Sequence, residues 1–185
     1  MKFLYLVIFA LCFCACATSP NVKKSVDTAN RVTPVFMTGT QHRTAFKMTF
    51  EDNGKEYNFL LLANRKNGYI NFKFIGDFAS VLASVNLRDG NFAYESISPL
   101  LEDAKIKQAF EEVLLALFAP KEQKNLSYKY YFKKGENLPY KLKQKSKLAN
   151  KTFLFENYNG NVPQNITIKA KLNLIKIKLE LLTNE

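Results

Sequence analysis

Apolar and polar residues alternate along most of the chain beyond residue 42, which is the pattern of half-buried β-strands. In the stretch Arg43–Glu51, for example, Phe46, Met48 and Phe50 share one side of the strand. Asn-Gly and Asp-Gly signals separate several of these stretches, as is typical of hairpin turns. The first half of the chain therefore predicts an antiparallel meander of strands at Arg43–Glu51, Tyr57–Asn64, Tyr69–Ile75, Phe78–Leu87 and Asn91–Ser96.

Near residue 98 the spacing of apolar residues changes from that of a strand to that of a helix. Ser98 is predicted as the N-cap and Pro99 as the first helical residue, where the missing N–H costs nothing. Apolar residues then recur at steps of three and four, at Leu101, Ala104, Phe110, Val113, Leu114, Leu117 and Phe118. The pattern predicts one long amphipathic helix, with the adjacent residues Glu111 and Glu112 on its solvated face.

Three further strand-like stretches follow the helix, at Leu126–Lys133, Lys151–Tyr158 and Asn165–Leu182. In the last, the apolar side changes parity, which predicts a bulge or a short turn near Asn173. We therefore predict an α+β domain over residues 32–185. Its curved antiparallel sheet forms an open half-barrel, and the long amphipathic helix packs on the concave face.

The N-terminus predicts export. Lys2 precedes an unbroken apolar run, Phe3–Ala17, that is shorter than the ~20 residues of a membrane-spanning helix. Phe13-Cys14-Ala15-Cys16 resembles the end of a lipoprotein signal, which predicts a signal peptide over 1–15 and lipidation of Cys16. The alternative is plain export with cleavage after Ala17. Residues 16–31 are polar beyond Ala17 and predict a flexible tether.

Composition narrows the possible functions. All three cysteines lie within the signal region, so no disulfide framework is predicted and an ordinary core must stabilise the domain. The formal net charge of +11 favours attraction to anionic lipid headgroups or an acidic partner, and the alternative is a solvated lysine-rich surface. Nucleic acid is not a predicted partner, because an exported protein rarely meets it.

The sequence contains few residues that are typical of catalytic sites. His42 is the only histidine, and we predict that it lies at the surface. No free thiol remains after processing, and the glycines are scattered in turns instead of forming a phosphate-binding loop. We therefore predict a non-enzymatic protein with no catalytic residue, no metal site and no cofactor.

Several of these features together resemble the LolA/LolB superfamily of bacterial lipoprotein carriers and receptors. The similar parts are the lipoprotein-like start, two strands broken by Ile75-Gly76-Asp77-Phe78, the Asp89-Gly90 turn, the Ser98-Pro99 helix start and the tail from Val162-Pro163. The resemblance implies a half-barrel whose apolar concave face holds acyl chains. The sequence leaves open whether the many phenylalanines line such a cavity or fill a solid core.

The LolB-like branch of that superfamily implies a loop with an exposed apolar residue that touches the membrane. Phe78 corresponds to it by place, and the alternative is that Phe78 begins a strand and points into the core. The resemblance further implies a lipid anchor in the outer membrane facing the periplasm, with Ala17 as a sorting signal, and a periplasmic carrier protein as partner. The second hypothesis is an interaction lipoprotein that binds an envelope assembly partner through its basic face.

Overall fold

Antiparallel strand pairing dominates the computed structural model, which describes Phe36 and residues 42–52, 54–66, 68–120, 126–170 and 175–184. In this described part, ten strands form one sheet. They are β1 (His42–Asp52), β2 (Lys55–Lys66), β3 (Tyr69–Ile75), β4 (Val81–Arg88), β5 (Asn91–Ile97), β6 (Ser127–Phe132), β7 (Pro139–Lys145), β8 (Lys151–Asn159), β9 (Val162–Ala170) and β10 (Ile175–Asn184). The predicted meander of five strands is confirmed.

The first and last strands meet in the middle of the sheet. The order is β5-β4-β3-β2-β1-β10-β9-β8-β7-β6, and β1 pairs with β10 from Thr44 opposite Asn184 to Asp52 opposite Ile175. Strands β5 and β6 are the two edges and do not pair with each other, so the sheet is open. The helix α1 (Ala104–Phe118) belongs to the connection between these two edges.

Helix α1 begins later than the sequence predicts. Pro99–Leu101 forms a separate 3-10 turn, in which the Leu101 N–H donates to the Ser98 carbonyl at 2.8 Å. Asp103 is the actual cap, because its carboxylate accepts a hydrogen bond from the Ile106 N–H at 3.1 Å. The prediction of Ser98 as the helix N-cap was therefore wrong.

The second half of the sheet was predicted less completely. Strand β7 was missed, because Leu142 is the one aliphatic residue among its lysines and its other deeply buried inner residue is Gln144. The predicted stretch Asn165–Leu182 corresponds to β9 and β10, and the predicted change of parity is confirmed. The predicted bulge or short turn near Asn173 lies outside the described residues. Ile166 and Ile168 are buried on β9, whereas Ile177 and Leu179, of opposite parity, are buried on β10.

The core lies between the sheet and helix α1, where aromatic rings pack in tilted and edge-to-face pairs along the helix. Phe110 packs against Phe50 and Phe74, with ring centroids 5.9 and 5.3 Å away. One end of the helix carries Phe118, whose ring lies 5.0 Å from Phe72 and also contacts Phe36 and Phe46. Every residue from Glu112 to Phe118 is buried, so this part of the helix is enclosed on all sides and not only along one stripe.

Two adjacent helix residues show how strongly the sheet curves. The Glu111 carboxylate accepts a hydrogen bond from Tyr94 on β5, and the Glu112 carboxylate accepts one from Lys151 on β8. These strands are seven steps apart in the sheet order. In a flat sheet with ~4.8 Å between strands they would be separated by roughly 34 Å, three times the ~10–12 Å diameter of a helix. The sheet therefore wraps around α1 as an open half-barrel, as predicted.

The predicted signal peptide over 1–15, the lipidation site Cys16 and the tether over 16–31 lie outside the described residues and remain predictions. Within the described part, no helix is both long enough and apolar enough to span a membrane.

Candidate functional site

The connection between β3 and β4 holds Phe78 in an unusual backbone conformation. The Gly76 N–H donates to the Ser80 carbonyl at 2.9 Å and closes the loop around the 3-10 turn Asp77–Ala79. Within it, Phe78 has φ 55° and ψ 31°, and Ala79 has φ 57°. Left-handed conformations cost an L-residue other than glycine about 1–2 kcal/mol. Two such residues in succession make this loop locally strained.

The side chain of Phe78 points away from the protein. Its exposed fraction is 102%, and no residue of the Asp77–Ala79 turn is buried. The alternative that Phe78 begins a strand and points into the core was therefore wrong, because β4 begins only at Val81. Val81 is itself 51% exposed. A strained loop thus presents a complete aromatic ring to the surroundings, with a second exposed apolar side chain three residues later.

Close packing fixes the base of this loop. A Cβ atom at Gly76 would lie 2.9 Å from Cδ1 of Leu82, which is closer than side-chain carbons approach. Glycine therefore lets Leu82 of β4 cover the backbone where β3 ends. The Ser80 hydroxyl adds a hydrogen bond to the Asp77 carbonyl at 2.8 Å. These contacts fix the backbone of the loop that carries Phe78.

Helix α1 is attached to the β5 side of the half-barrel through Tyr94. Its hydroxyl donates to the Glu111 carboxylate at 3.0 Å, and the Lys107 ammonium lies 4.0 Å from its ring centroid. Burial of the phenol raises the pKa of Tyr94 above its ordinary value, and the nearby Glu111 charge raises it further. The phenol therefore stays protonated and keeps donating this hydrogen bond.

The opposite side of the helix is attached to β7 and β8 through Glu112. Its carboxylate accepts a hydrogen bond from Lys151 and a second one from Gln108 at 3.1 Å, while its backbone carbonyl accepts one from Gln144 at 2.8 Å. Glu112, Lys151 and Gln144 are all buried. The prediction that Glu112 lies on a solvated face was wrong, because curvature of the sheet brings β8 over that side of the helix.

The inner face differs between the two halves of the sheet. Phenylalanines of β1 and β3 dominate one half, whereas on β6–β8 partly buried tyrosines lie beside the buried Phe153 and Phe155. The Tyr158 hydroxyl donates to the Pro139 carbonyl at 2.6 Å, and burial raises its pKa. Burial also raises the pKa of Tyr130, to about 12, with a further contribution from Tyr128. The half of the interior formed by β6–β8 thus offers several phenol groups beside its apolar side chains.

A groove of about 480 Å³ opens on the tyrosine side, at the end of the sheet opposite the Phe78 loop. Its wall is formed by Leu138, Tyr140, Phe155 and Tyr158 together with the polar residues Lys133, Glu136, Glu156 and Asn157. The groove borders the inner face that helix α1 fills elsewhere, so it is the candidate entrance to the interior.

Metal-ligating side chains do not form a cluster in the described residues. No three side chains of His, Cys, Asp or Glu there are placed to hold a metal ion. His42 is partly exposed at the first residue of β1. The Tyr94–Glu111 and Lys151–Glu112 hydrogen bonds have a structural role, since each joins helix α1 to a strand of the half-barrel.

Sequence reasoning proposed Phe78 as a candidate but missed Lys151 and Gln144. A signal for Lys151 was present, because it shares strand parity with the buried residues Phe153 and Phe155. Gln144 carried a weaker signal, as the uncharged residue between Lys143 and Lys145. Both belong to a row of inner residues, Tyr128–Gln144–Lys151, that are paired directly across β6, β7 and β8.

The sequence matches no family model and no curated protein. Among solved structures, a LolA superfamily protein from Nitrosomonas europaea is similar with a TM-score of 0.52 and 9% identity, over 78% of this chain and 85% of that one. A domain from Vibrio parahaemolyticus assigned to outer membrane lipoprotein sorting gives a TM-score of 0.43 and 9% identity, covering 78% and 84%. A DUF1329 family protein from Desulfovibrio piger gives 0.42 and 8%, covering 81% and 87%. The chain thus has a LolA-like fold, an open antiparallel half-barrel around a helix.

Proposed function

We propose that this protein is a non-enzymatic, lipid-anchored envelope protein that binds acyl chains of a lipoprotein or lipid inside its half-barrel. It passes them to the outer membrane, or accepts them there, while facing the periplasm. The LolA-like fold supports the first part, because such a sheet encloses an apolar inner face. The single observation that carries the membrane step is the fully exposed ring of Phe78 on its strained loop.

The physical mechanism is the burial of acyl chains away from water. Each buried CH₂ group contributes about 0.8 kcal/mol, and the membrane interior offers the same gain. Transfer therefore proceeds toward whichever site binds the chain slightly better, and a periplasmic carrier protein is the proposed donor. Phe78 enters the bilayer interface and keeps the rim of the half-barrel at the surface where the chain must leave.

Entry of a chain requires helix α1 to shift. Its buried half occupies the inner face from Glu112 to Phe118, so an acyl chain needs that space or a space beside it. The groove near Tyr140 and Phe155 is where the proposed ligand first inserts. Helix α1 must then break its hydrogen bond with Tyr94 or with Lys151 to move away from the sheet.

The anchor is proposed at Cys16, and its alternative is a soluble form cleaved after Ala17. Intact mass of the native protein from the membrane fraction distinguishes them. A chain that begins at Cys16 and carries acyl mass, lost in Cys16→Ala, supports the anchored form. A chain that begins at Thr18 without lipid contradicts it and leaves a soluble carrier.

Transfer itself is tested with a fluorescent diacylated lipopeptide. The full chain with Cys16→Ala is loaded with the probe and mixed with vesicles, and movement of the probe is followed over time. Phe78→Glu should retain uptake and slow delivery to vesicles at least tenfold. Leu182→Glu is the matched control, since Leu182 is 56% exposed at the opposite end of the sheet. Equal rates for the two variants would reject the role of Phe78, and failure of the unmodified protein to take up the probe would reject the carrier.

The second candidate function is an interaction lipoprotein that binds an envelope assembly partner through its basic face. The formal net charge of +11 favours it, because an excess of lysines attracts an acidic partner. Organic-solvent extraction of the purified protein separates the two functions. Lipid that co-purifies supports the carrier, and its repeated absence favours the interaction protein.

A further inference from the structure

The outer face of strands β6 and β7 carries a cluster of lysines around one tyrosine. The Lys129, Lys141 and Lys143 ammonium groups lie 5.4, 5.6 and 5.4 Å from the ring centroid of Tyr131. We name these four residues the basic patch. Each distance is within the ≈ 6 Å range of cation–π attraction. A single ring thus gathers three positive charges at one edge of the sheet.

The strand register makes this arrangement unfavourable for the protein alone. Lys129 lies directly opposite Lys143, and Tyr131 lies opposite Lys141. Like charges directly opposite each other on antiparallel strands destabilise the sheet. The salt bridges found in the described residues involve other lysines, namely Lys133, Lys151 and Lys176. The charge of the basic patch is therefore not neutralised by a carboxylate within that part of the chain.

We propose that the basic patch is a second membrane-contact site, which binds the phosphate headgroups of anionic lipids. An anionic surface would neutralise the repelling lysines, so that binding converts an unfavourable contact into a favourable one. The basic patch lies on the outer face of the sheet, and seven strand steps separate β6 from β3, which leads into the Phe78 loop, so it is a contact distinct from Phe78.

The chemistry of the patch favours a lipid surface over an acidic protein segment. It contains no arginine, whose planar fork suits bidentate recognition of carboxylates, whereas lysine ammonium groups act as point charges toward phosphate. Lysine stems and a half-buried tyrosine ring provide apolar area beneath the charges, and this combination suits the headgroup region. Strand β6 is also an edge strand, so no further strand of the sheet covers this side of the patch.

The test measures binding to vesicles by co-sedimentation, with the full chain carrying Cys16→Ala so that no attached lipid contributes. Vesicles of phosphatidylcholine alone are compared with vesicles that contain phosphatidylglycerol. The triple variant Lys129→Gln/Lys141→Gln/Lys143→Gln should bind the anionic vesicles at least tenfold more weakly, since each lysine near such a surface contributes about fivefold in affinity. Binding by the parent chain should weaken as salt is raised.

A matched control removes the same charge from the other half of the sheet. Lys55→Gln/Lys66→Gln/Lys73→Gln has the same net charge as the patch variant and replaces exposed lysines of β2 and β3. It should retain most of the affinity for anionic vesicles. Equal losses in the two triple variants would overturn the proposal, because binding would then depend on net charge alone. Preference of the patch for an acidic peptide over anionic vesicles would overturn it in favour of a protein partner.

A single substitution guards against misfolding of the triple variant. Lys143→Gln removes the lysine opposite Lys129 and should leave the thermal unfolding temperature unchanged or raised, since it relieves repulsion. It should still weaken binding to anionic vesicles severalfold. A fall in stability with unchanged vesicle binding would contradict the proposal, because Lys143 would then be a structural residue.

Discussion

Glu112 on helix α1 accepts a hydrogen bond from Lys151 on strand β8, and both side chains are buried. The two residues are 39 positions apart in the sequence, and the pair joins the helix to the half of the sheet that follows it. Removal of one partner leaves an uncompensated buried charge, which typically costs about 3–5 kcal/mol. This contact is therefore the polar attachment on which the position of the helix depends most.

The first prediction concerns this pair. Glu112→Leu and Lys151→Met should each lower the free energy of unfolding by about 3–5 kcal/mol, and the double variant should lose much less than the sum. Urea unfolding measures all three. Lys133→Met is the control, because its pair with Glu136 is exposed and should contribute no more than about 0.5 kcal/mol. Additive losses in the double variant would contradict the interpretation.

Alkaline pH should lower the free energy of unfolding, because Tyr130 is partly buried. Its folded-state pKa is raised to about 12, whereas an unfolded tyrosine ionises near its ordinary value of 10.0. Because the folded state favours the neutral phenol, this contribution to stability is fully present below pH 10 and is lost as the pH rises toward 12. Urea unfolding between pH 9 and about 11.5 should show a shallower decline for Tyr130→Phe than for the parent chain. Identical declines would mean that Tyr130 is solvated.

Relief of backbone strain gives a prediction for the Phe78 loop. Asparagine adopts left-handed conformations more readily than phenylalanine, so Phe78→Asn should raise the free energy of unfolding by about 1 kcal/mol. The same variant should lose vesicle delivery if Phe78 contacts the membrane. Val81→Asn serves as the control, because Val81 lies in an extended strand where asparagine offers no conformational gain. A destabilised Phe78→Asn would show that the ring packs against the protein.

The corrected helix cap predicts a difference between two adjacent acidic residues. Asp103→Ala should lower the free energy of unfolding by about 1 kcal/mol, because the Ile106 N–H loses its acceptor. Asp103→Asn should retain most of the stability, since an amide oxygen also caps. Glu102→Ala, at an exposed position before the cap, should change stability by less than about 0.5 kcal/mol. Thermal or urea unfolding checks the order of the three variants.

The local pattern of apolar and polar residues predicted much of the fold. It did not predict the contacts that position the helix. Alternation predicted β1 to β5 because a strand with one buried face repeats every two residues. It missed β7, where lysines alternate with Leu142 and Gln144, since the buried amide does not read as apolar. The attachment of Glu112 to Lys151 could not be predicted, because it depends on how far the sheet curves. Phe78 was identified through family resemblance, while its left-handed backbone had no signal in the sequence.

Pairing of β1 with β10 at the centre of the sheet has a consequence for how the chain folds. Each half of the half-barrel is a set of neighbouring hairpins that forms through local contacts, but the seam between them joins the beginning of the domain to its end. Loop closure over such a separation is slow, and until it occurs two long strand edges stay open to aggregation. Strand β10, with 10 residues, therefore joins the two halves of the sheet. The sheet can be completed only after residue 184 has been synthesised.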